Sequence, residues 1–300
     1  MANHGVSQSF SPVLVRAGIP AALLCLLVGF SAAHEEPPKT QKELAQHTRD
    51  CAKTSRNGIR TARIYKSSGT AAPALLLEMQ YSAEGTVASM TQYNSSGPVV
   101  ERSSFTYDGA LGLLTDEDLD AEGRTTGKVT YSYDKAGLVS GAYVMETETG
   151  AVKKYRFEYS RDEKAKAALF VKYALDSGKE TVEYRLRYVY DGPPDSANNT
   201  GIIKTAPDGA QLMRVANTFD SEGRRTVKAV YGAKDELLYK FVYKYNRSGD
   251  ISVIEKLDPA GRRQWLDKYS YNSGTDVERI ATYSPENQKV AVMEYRYEYR

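Results

Sequence analysis

Apolar and aromatic residues recur in short runs, each closed by a cluster of Gly, Asp, Asn or Ser. The residue that ends each run is Tyr81, Tyr93, Tyr107, Leu119, Tyr133, Met145, Tyr159, Tyr173, Tyr190, Thr205, Phe219, Tyr231, Tyr245, Leu257, Tyr271 or Tyr283. Successive ends lie 12 or 14 residues apart almost throughout, with steps of 17 and 15 on either side of Tyr190. A two-strand unit therefore takes 26 residues, and a fixed period of this size marks a repeat array. The turns are too short for crossover helices, so the strands must be antiparallel neighbours.

Strand side chains alternate with a period of two, so even steps would keep equal parity on one face. Of the 23 Tyr, 20 carry odd numbers; the exceptions are Tyr184, Tyr188 and Tyr190, between the two odd steps. Lys228, Lys240, Lys244, Lys256, Arg262 and Lys268 are all even. The pattern predicts an all-β fold: an antiparallel meander of about 17 strands, curled or spiral, with one Tyr-rich face and one polar face. The Tyr face is expected to be buried as core.

Three segments fall outside the repeat. Residues 1–33 read as an export signal, with Arg16 ahead of the apolar run Ile19–Phe30 and Ser31-Ala32-Ala33 at the cleavage positions. The run is short for a bilayer span. Residues 34–60 read as a helical or linker segment, with a capping-box pattern at Thr40-Gln41-Lys42-Glu43 and with Leu44, His47 and Cys51 on one helical face. Such a helix would cover the first edge of the sheet. The repeat domain then runs over 61–300, interrupted at 191–201 by the Pro/Asn-rich DGPPDSANNTG.

Four turns share a phrase: LDAEGR at Leu119, FDSEGR at Phe219, LDPAGR at Leu257 and the variant YDKAGL at Tyr133. This resembles the YD repeat of Rhs-type bacterial proteins, and the resemblance spans about Tyr65 to Arg300. It implies a curling antiparallel sheet in a cell-surface or secreted protein, here a small stand-alone exported member. The motif marks a structural unit and brings no catalytic residue. In physical terms Asp caps the turn, Gly supplies a positive φ, and the Arg after it pairs with an acid or lies over a Tyr.

Composition narrows the function. Cleavage after Ala33 would leave 39 basic and 38 acidic residues, too even a balance for nucleic-acid binding. Cys51 would then be the single cysteine, which rules out an intramolecular disulfide. The histidines are His4, His34 and His47, none in the repeats, so Ser-His-Asp and Cys-His chemistry and His-based zinc sites have no material there. No catalytic, cofactor-binding or metal-ligating residue is assigned. Asp116, Asp118, Asp120 and Glu122 would share a face in an extended segment and could take Ca²⁺, but Ala121 stands where an EF-hand loop needs Gly. Too few aliphatic residues line one face for a lipid-facing barrel. The expectation is an exported scaffold or binding protein, periplasmic or secreted, with no cofactor and a protein or glycan partner in the envelope. The alternatives are an accessory of a larger surface or secretion assembly and a carboxylate-based hydrolase.

Overall fold

The computed structural model describes residues 41–135, 138–147, 150–161, 167–176, 178–190 and 198–300. The export signal, Thr40 of the capping-box pattern and residues 191–197 of the insertion lie outside them. Among the described residues one helix, α1 (Gln41–Arg56), precedes eighteen strands. These are β1 (Ile59–Ser67), β2 (Ala74–Tyr81), β3 (Val87–Tyr93), β4 (Val99–Tyr107), β5 (Leu113–Leu119), β6 (Thr125–Tyr133), β7 (Val139–Glu146), β8 (Val152–Arg161) and β9 (Ala167–Asp176). They continue as β10 (Lys179–Val189), β11 (Gly201–Thr205), β12 (Gln211–Phe219), β13 (Arg225–Tyr231), β14 (Leu237–Tyr245), β15 (Ile251–Leu257), β16 (Arg263–Tyr271), β17 (Val277–Tyr283) and β18 (Lys289–Tyr299). In the regular region, seven- and nine-residue strands alternate across five-residue turns, which is the origin of the 12- and 14-residue steps.

Each strand pairs antiparallel with the next, and β1 also pairs with β18, from Ile59↔Tyr299 to Ser67↔Val292. The sheet is a closed up-and-down barrel. The expected open, curled meander is therefore corrected: closure satisfies the edge strands by pairing them with each other. A helix has no edge to cover, and α1 sits elsewhere.

The turns follow the sequence reading. Asp120, Asp220 and Asp258 each accept a hydrogen bond through Oδ1 from the backbone N–H of the Arg four residues on, at 2.8–2.9 Å. The same Arg donates its Nε–H to the other carboxylate oxygen, at 2.6–2.8 Å. Gly123, Gly223 and Gly261 take the positive φ between them. In four turns a non-glycine residue holds that conformation: Leu111, Asp235, Thr275 and Asn287.

The single aromatic face is a second correction. Most pairs across a hairpin join odd with even numbers, as in Leu77↔Gln92 and Lys228↔Phe241, because a five-residue turn and a bulge at the strand end offset the register. Equal parity therefore lies on opposite faces in successive strands. Tyr81, Tyr107, Tyr133, Tyr159, Tyr245, Tyr271 and Tyr297, on even-numbered strands, point into the barrel; Tyr65, Tyr93, Tyr143, Tyr173, Tyr231 and Tyr283, on odd-numbered ones, point out. Past the bulge between Val182 and Tyr184, the pairs flanking β10 join like parities, as in Lys172↔Tyr184 and Leu186↔Lys204. The two odd steps of the sequence thus keep the Tyr of β10 inside. The lysines divide too: Lys228 and Lys256 face inward, whereas Lys240, Lys244 and Lys268 face outward.

The outer wall is charged: Arg63, Glu78, Lys240, Glu255, Lys268 and Glu294 lie mid-strand on it, where a lipid-facing band would need apolar side chains. Outward Tyr rings lie beneath cations: Arg296 over Tyr65, Arg156 over Tyr173 and Arg214 over Tyr231, at 3.8–4.2 Å from the ring centroids. Eighteen strands about 4.8 Å apart make a ring about 27 Å or more across if round. Yet inward side chains at mid-height are buried, Leu77, Ile280 and Asp267 completely. The middle is thus filled with side chains, and the barrel is not an open round channel.

The turn geometry gives a paired test by urea denaturation. Thr275→Gly relieves a β-branched residue of a positive φ and is expected to raise stability by about 0.5 kcal/mol net. Gly261→Thr, where a new side chain meets nothing within 4 Å, isolates the backbone cost and is expected to lose about 1–2 kcal/mol. Equal midpoints for both variants would refute the turn assignment.

Candidate functional site

The lumen is the one concave surface that the whole ring contributes to, and its two ends differ. At the end where even-numbered strands turn into odd-numbered ones, every even-numbered strand carries an inward aromatic residue at its last position or within two residues of it. Several of these are stitched to their neighbours. Tyr133, Tyr245, Tyr271 and Tyr297 donate their hydroxyls to the carbonyls of Leu113, Arg225, Ile251 and Val277, each 20 residues back, at 2.6–2.7 Å. Those carbonyls open a strand beside the bulge, where ladder pairing is disturbed, so the phenol replaces a missing backbone donor.

α1 closes part of this end. Ser55 donates to the Ala83 carbonyl at 2.7 Å, Lys53 to the Thr275 carbonyl at 2.6 Å, and Asn57 to the Asp276 carboxylate at 3.0–3.1 Å. Gly85 is required beneath it, since a Cβ there would overlap the Cys51 carbonyl. His47 and Cys51 share a face of the helix, as its periodicity predicts. His47 Nε2 donates to the Leu111 carbonyl at 3.2 Å, and Cys51 Sγ lies 3.7–3.8 Å from the ring nitrogens. The thiol is 4% exposed and faces the barrel, so the pair serves docking and offers no surface to a substrate.

At mid-height the lining carries charge. Glu101 and Ser103 on β4 and Asp116 and Asp118 on β5 all point inward, with Ser103 donating to Asp118 at 2.7 Å. Burial, reinforced by Asp118 and Glu101, pushes Asp116 up to about 7. Burial also pushes Asp118 up to about 6, against the Ser103 hydrogen bond, and raises Glu101. Facing β8–β10, Lys172 is 4% exposed, 2.8 Å from Glu183 and 3.9 Å from the Tyr155 ring centroid.

Toward the end opposite α1 the lining is largely cationic and, apart from the buried Tyr184 and Trp265, partly exposed. Lys204 lies over Tyr184 at 4.2 Å and Lys256 over Tyr239 at 4.4 Å. Phe241 packs against Tyr239 and Trp265, with centroids 5.4 and 6.0 Å apart. Lys228 is the cross-strand neighbour of Phe241.

The four acids proposed for Ca²⁺ do not converge. Asp116 and Asp118 enter the lumen, whereas Asp120 and Glu122 stay in the turn, bound to Arg124. Among the described residues no group of His, Cys, Asp and Glu is arranged to hold a metal ion. The inward lysines were visible in the sequence but placed with the outward ones; only the register separates them.

No family model matches the chain, and no curated protein matches it in sequence. Solved structures give distant likenesses. A porin-like protein from Bacteroides uniformis is 12% identical over 80% of this chain and 98% of its own, with a TM-score of 0.41. The Photorhabdus luminescens Tc holotoxin pore is 14% identical over 74% of this chain and 13% of its own, at 0.34. A putative outer membrane lipoprotein-sorting protein domain from Vibrio parahaemolyticus is 10% identical over 85% and 91%, at 0.19. At such scores none of them identifies a ligand or an activity for this chain.

The buried carboxylates set a pH dependence. Their folded-state pKa lies above the unfolded value near 4, so the folded chain binds more protons between pH 4 and 7 and stability falls as pH rises through that window. Asp116→Asn removes part of this loss. It is expected to raise the urea-derived stability by about 2 kcal/mol at pH 8 and to change it little at pH 4. An equal effect at both pH values would contradict the buried, raised carboxyl.

Proposed function

We propose that this protein is an exported, non-catalytic binding protein of the cell envelope, built as a water-facing barrel that receives its partner at the end of the lumen opposite α1. The observation that carries this reading is the division of surface character. The outer wall is charged and its Tyr are covered by Arg and Lys, while partly exposed aromatic rings and lysines converge on one arc inside. Concave surfaces that combine aromatic faces with a few charged groups are where small partners bind. The buried position of the Cys51–His47 pair supports a binding role over catalysis.

The Asp-x-x-Gly-Arg turns support counting the chain as a YD-type repeat array closed into a ring. The apolar run Ile19–Phe30 supports a cleaved leader and a periplasmic or secreted destination.

Expression of the full chain in a Gram-negative host tests both parts. The expected result is a product beginning near His34 in the periplasm or medium, which captures an envelope component that native mass spectrometry detects bound and unaltered. Retention in the membrane after a carbonate wash would overturn the water-facing reading, and chemical conversion of the captured component would overturn the non-catalytic one.

A further inference from the structure

The inward face of β11–β15 differs from the rest of the lining in the sign of its charge. Its inward positions hold Lys204, Arg225, Lys228 and Lys256 and contain no Asp or Glu. Inward carboxylates occur instead on β4 and β5, as Glu101, Asp116 and Asp118, and on β16, where Asp267 accepts a hydrogen bond from Thr282 at 2.7 Å, while Glu183, at the bulge of β10, is paired with the buried Lys172 at 2.8 Å. The lumen is therefore polarised, and an anion entering it is drawn to one wall.

That wall is also the aromatic one. Across β13–β16 the cross-strand row reads Lys228, Phe241, Lys256, Trp265. Tyr239 adds its ring beside Phe241, and Lys256 rests on the Tyr239 face. Lys204, two strands from Lys228 along the wall, rests on Tyr184 at 4.2 Å. A ligand suited to this row alternates negative groups with flat, weakly polar faces. A chain of uronic acids does so, since each sugar carries one carboxylate and presents C–H bonds along one ring face.

Resting on the binding role argued above, we propose that Lys204, Lys228 and Lys256, with the partly exposed rings of Tyr239 and Phe241, form a site for an acidic oligosaccharide. Lysines pair with the carboxylates and the aromatic rings stack on the sugars. The specificity is for charge along the chain, so esterified sugars bind poorly.

Trp265 is the only tryptophan, and its buried ring packs behind Phe241 of the proposed site, which makes its emission a reporter of binding there. The mature chain is titrated with uronic-acid hexamers of several linkages, their methyl esters and a hexaglutamate peptide. The expected result is that one or more hexamers shift Trp265 emission with an affinity that falls with salt. Their esters and the peptide are expected to bind at least tenfold more weakly. Lys204→Gln and Lys256→Gln should each weaken binding about tenfold, Lys256→Arg should restore most of it, and the outward Lys240→Gln and Lys268→Gln should leave it unchanged. Unaltered circular dichroism and melting identify variants that remain folded. The site assignment is overturned if no hexamer binds, if the outward variants weaken binding as much as the inward ones, or if esters bind equally well. Equal binding of hexaglutamate overturns the sugar and leaves an anion site. Cleavage of a hexamer would instead overturn the non-catalytic reading on which the proposal rests.

Discussion

The pairing of β1 with β18 is the interaction on which everything else in this barrel depends. It joins Ile59–Ser67 to Val292–Tyr299, and just beyond it Arg300 N–H donates to the Gly58 carbonyl at 2.7 Å. Without it the sheet would end in two long edges and present two equivalent faces. With it, one face becomes an interior, and each residue acquires an inside or an outside according to its strand.

Closure explains the different treatment of the two sets of tyrosines. The inward ones at α1's end bury their rings and spend their hydroxyls on carbonyls left without ladder partners. The outward ones remain half-exposed and lie beneath arginine and lysine. The residue type is the same because Tyr suits both surfaces: its ring packs, and its hydroxyl tolerates either a backbone acceptor or water. The interior is consequently graded along the barrel, from an aromatic, helix-capped end, through a buried middle that carries carboxylates, to a cationic and aromatic opposite end.

The candidate site was legible only in part. The turn chemistry at Asp120, Asp220 and Asp258 could be read residue by residue, because a capping Asp and a positive-φ Gly act within five residues. The helical pairing of His47 with Cys51 is equally local. The division of Lys228 and Lys256 from Lys240, Lys244 and Lys268 was not legible, although all five have even numbers. It requires knowing that a hairpin pairs odd with even positions, which depends on where each bulge falls. Asp116 and Asp118 were likewise grouped with Asp120 and Glu122 by spacing, whereas the end of β5 at Leu119 separates a lumen pair from a turn pair.

By itself the sequence determined that the repeat region is all-β, that its strands are short and antiparallel, and where its turns lie. These follow from side-chain alternation and from the local conformations of Gly, Asp and Asn. The tertiary structure alone decided that the ribbon closes, which face is interior, and which charges share it. Those properties arise from hydrogen bonds between strands more than 220 residues apart and from a one-residue offset at most hairpins. Neither leaves a mark in the local pattern, because a step of 12 or 14 reads the same whether or not a bulge reverses the face within it.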